Sequence, residues 1–212
     1  MANQNGLTFE IKKGLPPQDS GEAVAVCVFE GEPRLSSASD DILEVVEEVM
    51  RSGEFKGEAE ASLVLHNAEK RGARTLILLG FGKHGGDSSA QLSRAAATAL
   101  RRAREARVHH LYFIIPAVSD EGRMARAIAE GATLGTYDND FYQEHEEPAS
   151  RLSGFTIVTA GADPRELHAE VERGRIIAES VNWTRALADE PGGSLPPREF
   201  ARRAALMAEE FG

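Results

Sequence analysis

Six short apolar runs alternate along this chain with longer segments whose apolar residues recur every three or four positions, a pattern that predicts an α/β fold. The runs fall at 7–13 (LTFEIKK), 23–30 (AVAVCVFE), 60–67 (EASLVLHN), 75–81 (TLILLGF), 111–116 (LYFIIP) and 155–160 (FTIVTA), and their β-branched and aromatic content marks them as strands. Several are apolar on both faces. Such strands are central ones, covered by helices on each side of a sheet.

The helical period appears first at Ile42, Val45, Val46 and Val49. It returns at Leu92, Ala96, Ala99, Ala103 and Ala106, and again at Met124, Ala127, Ile128, Gly131 and Leu134. The fourth and longest helix is expected from about Pro164 to Ala188, with Leu167, Val171, Gly174, Ala178, Val181 and Ala188 as its apolar stripe. Ile177, Thr184 and Leu187 flank that stripe. Pro164 sits where a missing N–H costs nothing, and Pro191 stops the run. Beyond it, Ser194 or Pro196 begins a further helix with Phe200, Ala204, Met207 and Ala208 along one side. A terminal apolar stripe needs a partner surface, so this helix reads as the first element of a second domain. The alternative is a helix folded back onto the first.

Composition narrows the function classes. The 212 residues include 24 basic and 34 acidic side chains, a formal net charge of −10 that repels polyphosphate and gives no general drive toward nucleic acid or anionic membrane. The most basic stretch, RRAREAR at 101–107, places Arg101, Arg102, Arg104 and Arg107 on the exposed side of an Ala-rich helix, and is read as a solvated face. Cys27 is the single cysteine, so no internal disulfide forms, and its place within AVAVCVFE suits a buried strand in a reducing compartment. The N-terminus has no apolar signal core and no run approaches the roughly 18 apolar residues of a membrane span. A cytoplasmic protein is expected.

The glycines at 80, 82 and 85 satisfy G-x-G-x-x-G between a strand and a helix, which raises the question of a dinucleotide cradle. Three features oppose it. The loop follows the fourth strand rather than the first, Asp87 sits where phosphate would approach, and no acidic residue ends a strand about 20 positions later. Lys83 is not followed by Ser or Thr in the order of a phosphate-binding P-loop. The glycines are therefore expected to form a positive-φ turn before a helix capped by Asp87, Ser88 or Ser89.

No other constellation carries chemistry. Histidines at 66, 84, 109, 110, 145 and 168 show no metal spacing, and His109 and His110, adjacent at a strand entrance, point to opposite faces. HEEPA at 145 begins like a zinc protease motif, but position 149 is alanine and Pro148 breaks the helix. Asp138, Asp140 and Tyr142 fail the calcium-loop spacing, and the segment reads as a solvated acidic loop. No G-x-S-x-G elbow occurs and Cys27 has no base at fixed spacing.

Three segments together resemble the leucyl, or cytosol, aminopeptidases. TLILLGFGK is similar to their strand and G-L-G-K turn, with Gly80, Gly82 and Lys83 matching and Phe81 in place of leucine. EGATLGTYDNDFY at 130–142 is similar to their E-G-A-x-L-G-x-Y-x-F-x-x-Y segment. From Asn182, NWTRALADEPGGSLPPREFARRA is similar to their N-x-x-R-x-L-x-N-E-P-x-N-x-L-T-P stretch. There Asn182, Arg185, Leu187, Glu190, Pro191, Leu195 and Pro197 match, while Asp189, Gly193 and Pro196 depart from it.

The resemblance implies a macro-domain-like mixed sheet flanked by helices on both faces over residues 1–162, a connecting helix over 163–190, and over 191–212 a linker with the first helix of a truncated catalytic domain. It implies two divalent metal ions, zinc or manganese, in that catalytic domain, whose stretches similar to G-K-G-I-x-F-D-S-G-G and N-T-D-A-E-G-R do not occur here. No catalytic, cofactor-binding or metal-ligating residue is therefore expected in this chain. Its implied partners are its own C-terminal catalytic domain and, at full length, further copies in a hexamer. The rival reading is a macro-like module for ADP-ribose or a related nucleotide, with Asn67 as the candidate contact.

Overall fold

The structure is a computed structural model that describes residues 7–14, 22–33, 38–66, 73–83, 85, 88–116, 120–137, 152–159 and 161–211. Its strands are β1 (Thr8–Lys13), β2 (Ala23–Phe29), β3 (Ser62–His66), β4 (Thr75–Gly82), β5 (His110–Ile114) and β6 (Gly154–Thr159). The helices are α1 (Asp40–Ser52), α2 (Ser88–Glu105), α3 (Glu121–Leu134), α4 (Pro164–Asp189) and α5 (Pro197–Phe211). The strands form one sheet in the order β1-β6-β5-β2-β4-β3, parallel throughout except for β3, which pairs antiparallel with β4. The expected mixed sheet between helical layers is what the chain adopts.

Every residue of β2, β4 and β6 is buried, which is why their sequences are continuous apolar runs rather than alternating ones. One face of the sheet packs Val24, Val26, Leu76 and Leu78 against Ile42, Val45, Val46 and Val49 of α1. The other packs Ala25, Ile77, Leu111, Phe113, Phe155 and Ile157 against α2, α3 and the first half of α4. Phe155 lies between Phe9 and Phe113, with ring centroids 5.5 and 6.0 Å away. Each such fully buried side chain contributes about 1.5–3 kcal/mol of transfer free energy.

The helices begin and end where their sequences dictate. Asp120 accepts from Arg123 N at 2.9 Å to cap α3, and Asp163 accepts from Arg165 N at 2.9 Å ahead of Pro164 to cap α4. Gly53 closes α1 in the left-handed conformation. Two helical glycines set the spacing of the helical layer. A Cβ on Gly131 would lie 1.9 Å from Ser93 O of α2, and one on Gly174 would lie 2.4 Å from Arg126 O of α3.

Two parts of the expected α4 stripe are corrected. Val181 is 38% exposed and Ala188 is also exposed, whereas Leu167, Val171, Gly174, Ala178 and Leu187 are buried. Residues rise together along the two helices, with Gly122 beside Leu167, Arg126 beside Gly174 and Thr133 bonded to Asn182. At 1.5 Å per residue α4 is about 39 Å long and α3 only about 21 Å, so the last turns of α4, beyond Asn182, outrun their partner. The facing stripe ends on Asn182 instead of continuing to Val181.

Candidate functional site

The glycine turn closes β4 against a second stretch of backbone. Gly80 N donates to Ala61 O at 2.7 Å, Glu60 N to Gly80 O at 3.2 Å and Gly82 N to Gly57 O at 2.9 Å. A Cβ on Gly80 would fall 1.8 Å from Glu58 O. The glycine is required there because residues 57–61 cross directly over it. Gly82 and Gly85 have φ of +71° and +138°, as the turn reading expected, and α2 opens at Ser88. His84 and Asp87 lie outside the described residues. The cleft lined by Glu60, Leu79, Phe81, Gln91 and Arg94 encloses about 50 Å³, far below the ~300–1,000 Å³ of a small-molecule site.

The segment from Asn182 onward forms a polar network at the end of α4. Asn182 Nδ2 donates to Thr133 O at 2.8 Å, tying α4 to the last turn of α3. Arg185 stands 5.9 Å from the centroid of the Tyr137 ring, and the Tyr137 hydroxyl donates to Asp189. Desolvation, then the Asp189 carboxylate, pushes the Tyr137 phenol up to about 12. Across the corner, Arg203 of α5 pairs with Glu190 and, at 2.9 Å, with Glu199, which Arg202 also holds at 2.7 Å. The Arg202 and Arg203 guanidiniums bring the Glu199 carboxyl down to about 2. These groups pair with one another, and the result is a bracket that fixes the exit of α4 and the start of α5.

The two helices also carry exposed apolar side chains. Ile176, Ile177, Val181 and Trp183 of α4 are 36–50% exposed, as are Phe200, Leu206 and Met207 of α5 at 40–50%. None of the described α5 side chains is buried, so α5 does not fold back onto the sheet.

Other singled-out residues are dispersed. His109 is exposed, while His110 lies across Gly154 with Nε2 2.7 Å from Thr156 Oγ1 and its ring centroid 4.9 Å from that of Tyr112. His66 and His168 are exposed at separate sites. Burial pushes the Cys27 thiol up to about 12, so no nucleophilic thiolate forms there near neutrality. Arg101 bonds Thr98, and Arg102 bonds Ser62 and Glu105, which accords with a solvated basic face. Asn67, Asp138, Asp140, Tyr142, His145, Pro148 and Ala149 lie outside the described residues. Among the described residues no three His, Cys, Asp or Glu side chains converge to hold a metal ion, so no metal step is derived for this chain. No helix among them is long and apolar enough to cross a membrane.

The N-terminal domain model of the cytosol aminopeptidase family matches residues 25–146, more than half of the 212 residues. This chain belongs to the cytosol aminopeptidase family. It is similar to the probable cytosol aminopeptidase of Solibacter usitatus, 33% identical over 195 residues, covering 92% of this chain and 38% of that protein. It is also similar to that of Roseiflexus castenholzii, 32% identical over 209 residues, covering 97% of this chain and 41% of that protein. Among solved structures, a mutant of tomato leucine aminopeptidase superposes with a TM-score of 0.79 at 16% identity, over 99% of this chain and 43% of that one. The bottromycin maturation enzyme BotP in complex with Mn gives 0.66 at 23%, over 90% and 37%. Those structural likenesses establish the shared fold. The chain spans about two fifths of the length of these relatives.

Within the family domain, sequence reasoning missed the partner of the glycine turn. The signal was present in GEFKGEAE at 53–60, where Gly57 has φ +78° and Glu60 φ +66°, an irregular stretch just before a strand. Nothing in its periodicity told which strand end it would cover.

Proposed function

We propose that this chain is the non-catalytic N-terminal domain of a metal-dependent aminopeptidase whose full-length form removes N-terminal amino acids from peptides, and that it serves assembly rather than reaction. Residues 1–162 form the accessory domain, 163–190 the connecting helix, and 191–212 the approach to a catalytic domain. The observation that carries this reading is the end of α4: the family-like residues Asn182, Arg185 and Glu190 bond to α3, Tyr137 and α5, and both helices carry exposed apolar side chains. Side chains that fix a helix exit beside exposed Trp183 and Phe200 are suited to orient two bodies, since aromatic anchors dominate interface energetics. The two metal ions, zinc or manganese, and the selection of the substrate residue belong in this reading to the catalytic domain.

Light scattering on a polypeptide joining this chain to the catalytic half of a cytosol aminopeptidase tests the architectural role. A hexameric mass is expected, falling when Trp183→Asp and Phe200→Asp are introduced together. A monomer, or a mass unchanged by both substitutions in a folded protein, would overturn the role.

A further inference from the structure

The sheet ends on β3, and among the described residues no strand pairs with its outer edge. The ladder on the inner side fixes which groups that edge presents. The bonds between Gly80 and the Glu60–Ala61 pair, followed along the register Leu63↔Leu78 and Leu65↔Leu76, turn the N–H and C=O groups of residues 63 and 65 toward β4. Alternate residues of an antiparallel strand turn theirs the other way. Ser62, Val64 and His66 therefore present a row of three donors and three acceptors outward.

Exposed edges are normally guarded by lysine, proline or an inward-pointing charge. The strand SLVLH contains no Lys, Arg, Asp, Glu or Pro. Leu63 and Leu65 rest partly buried against the α1 side and Val64 against the α2 side, so the apolar rows of both core clusters continue to the open edge.

The centre of the strand, Leu63-Val64-Leu65, also reads alike in both directions. In an antiparallel pairing centred there, Val64 meets Val64 of the partner subunit, Leu63 meets Leu65 of the partner subunit, and Ser62 meets His66 of the partner subunit. Ser62 Oγ already accepts from Arg102 Nε at 3.2 Å, which leaves its proton to donate to an imidazole. A two-fold interface requires this self-complementarity, each residue contacting the one that contacts it. An unrelated strand has no such requirement. We propose that β3 is an interface between two copies of this chain, joined antiparallel about Val64 into one continuous sheet. The site lies at the opposite edge of the sheet from β1, so it is independent of the α4–α5 surface.

Light scattering and backbone amide exchange on the purified chain over a range of concentration test the pairing. The mass should rise toward twice that of the monomer, and the Val64 and His66 amide protons should slow by about tenfold or more as it does. Val64→Pro removes the central outward N–H without taking a bond from β4, and should give a folded monomer. Val64→Lys, which keeps the N–H but sets two like charges across the axis, should do the same and carries the test alone if the proline variant does not fold. Trp183→Asp should leave the pair intact. A monomer at every concentration, a pair that survives Val64→Lys, or Val64 exchange that does not change with concentration would overturn the proposal.

Discussion

Glu60 holds a backbone conformation that favours glycine, with φ +66° at the third position of a turn closed by Ala61 N donating to Glu58 O at 3.1 Å. A left-handed residue with a Cβ costs about 1–2 kcal/mol, of which the greater freedom of glycine in the unfolded chain returns about 0.5–1 kcal/mol. Its ion pair with Arg94, at 3.2 Å, is exposed on both sides and compensates little. Glu60→Gly should therefore be more stable than Glu60→Ala by about 0.5–1 kcal/mol, measured by urea unfolding. The alanine variant isolates the loss of the ion pair. Equal midpoints for the two would show that the turn is not strained as described.

Between elements, the decisive contacts are made where side chains are absent. Gly131 lets the backbones of α2 and α3 approach until only a hydrogen fits between them and Ser93 O. Alanine at a helix interior ordinarily gains about 1 kcal/mol over glycine, yet here its methyl would force the helices apart. Gly131→Ala should lose about 2 kcal/mol or more by chemical denaturation, since overpacking a close contact costs more than propensity returns. A stabilised variant would contradict the close packing.

That contrast explains what the sequence could and could not convey about the elements. The six described strands and the helices α1 to α4 were legible because burial on one or two faces writes itself into a period of two, a continuous run, or 3.6, and α5 was legible from its apolar period alone. The α4 stripe was legible only as far as Ala178, where the facing position passes to Asn182 rather than Val181. Past that point its apolar residues surround the helix, and periodicity cannot name a face when no single partner selects one. The antiparallel placement of β3 and the backbone crossing over Gly80 were likewise illegible, since both depend on which distant segments meet. At the candidate site, Asn182, Arg185 and Glu190 were visible as matches to a family pattern, but their roles as bonds to Thr133, Tyr137 and Arg203 came only from the fold.

At the scale of the whole molecule, the two outer regions differ in kind. Among the described residues the β3 edge has no strand partner, whereas α4 and α5 offer exposed aromatic and aliphatic side chains. The described interior between them is apolar apart from the threonines Thr75, Thr133, Thr156 and Thr159, and its one thiol is held protonated by burial. On the function proposed above, such a molecule positions a catalytic domain and leaves bond breaking to that domain. Hydrolysis of a leucyl amide by the purified chain, with zinc or manganese added, tests that most directly. The account predicts no release of leucine above the rate of metal in buffer; turnover that follows the concentration of this chain and is lost when it is unfolded would contradict it.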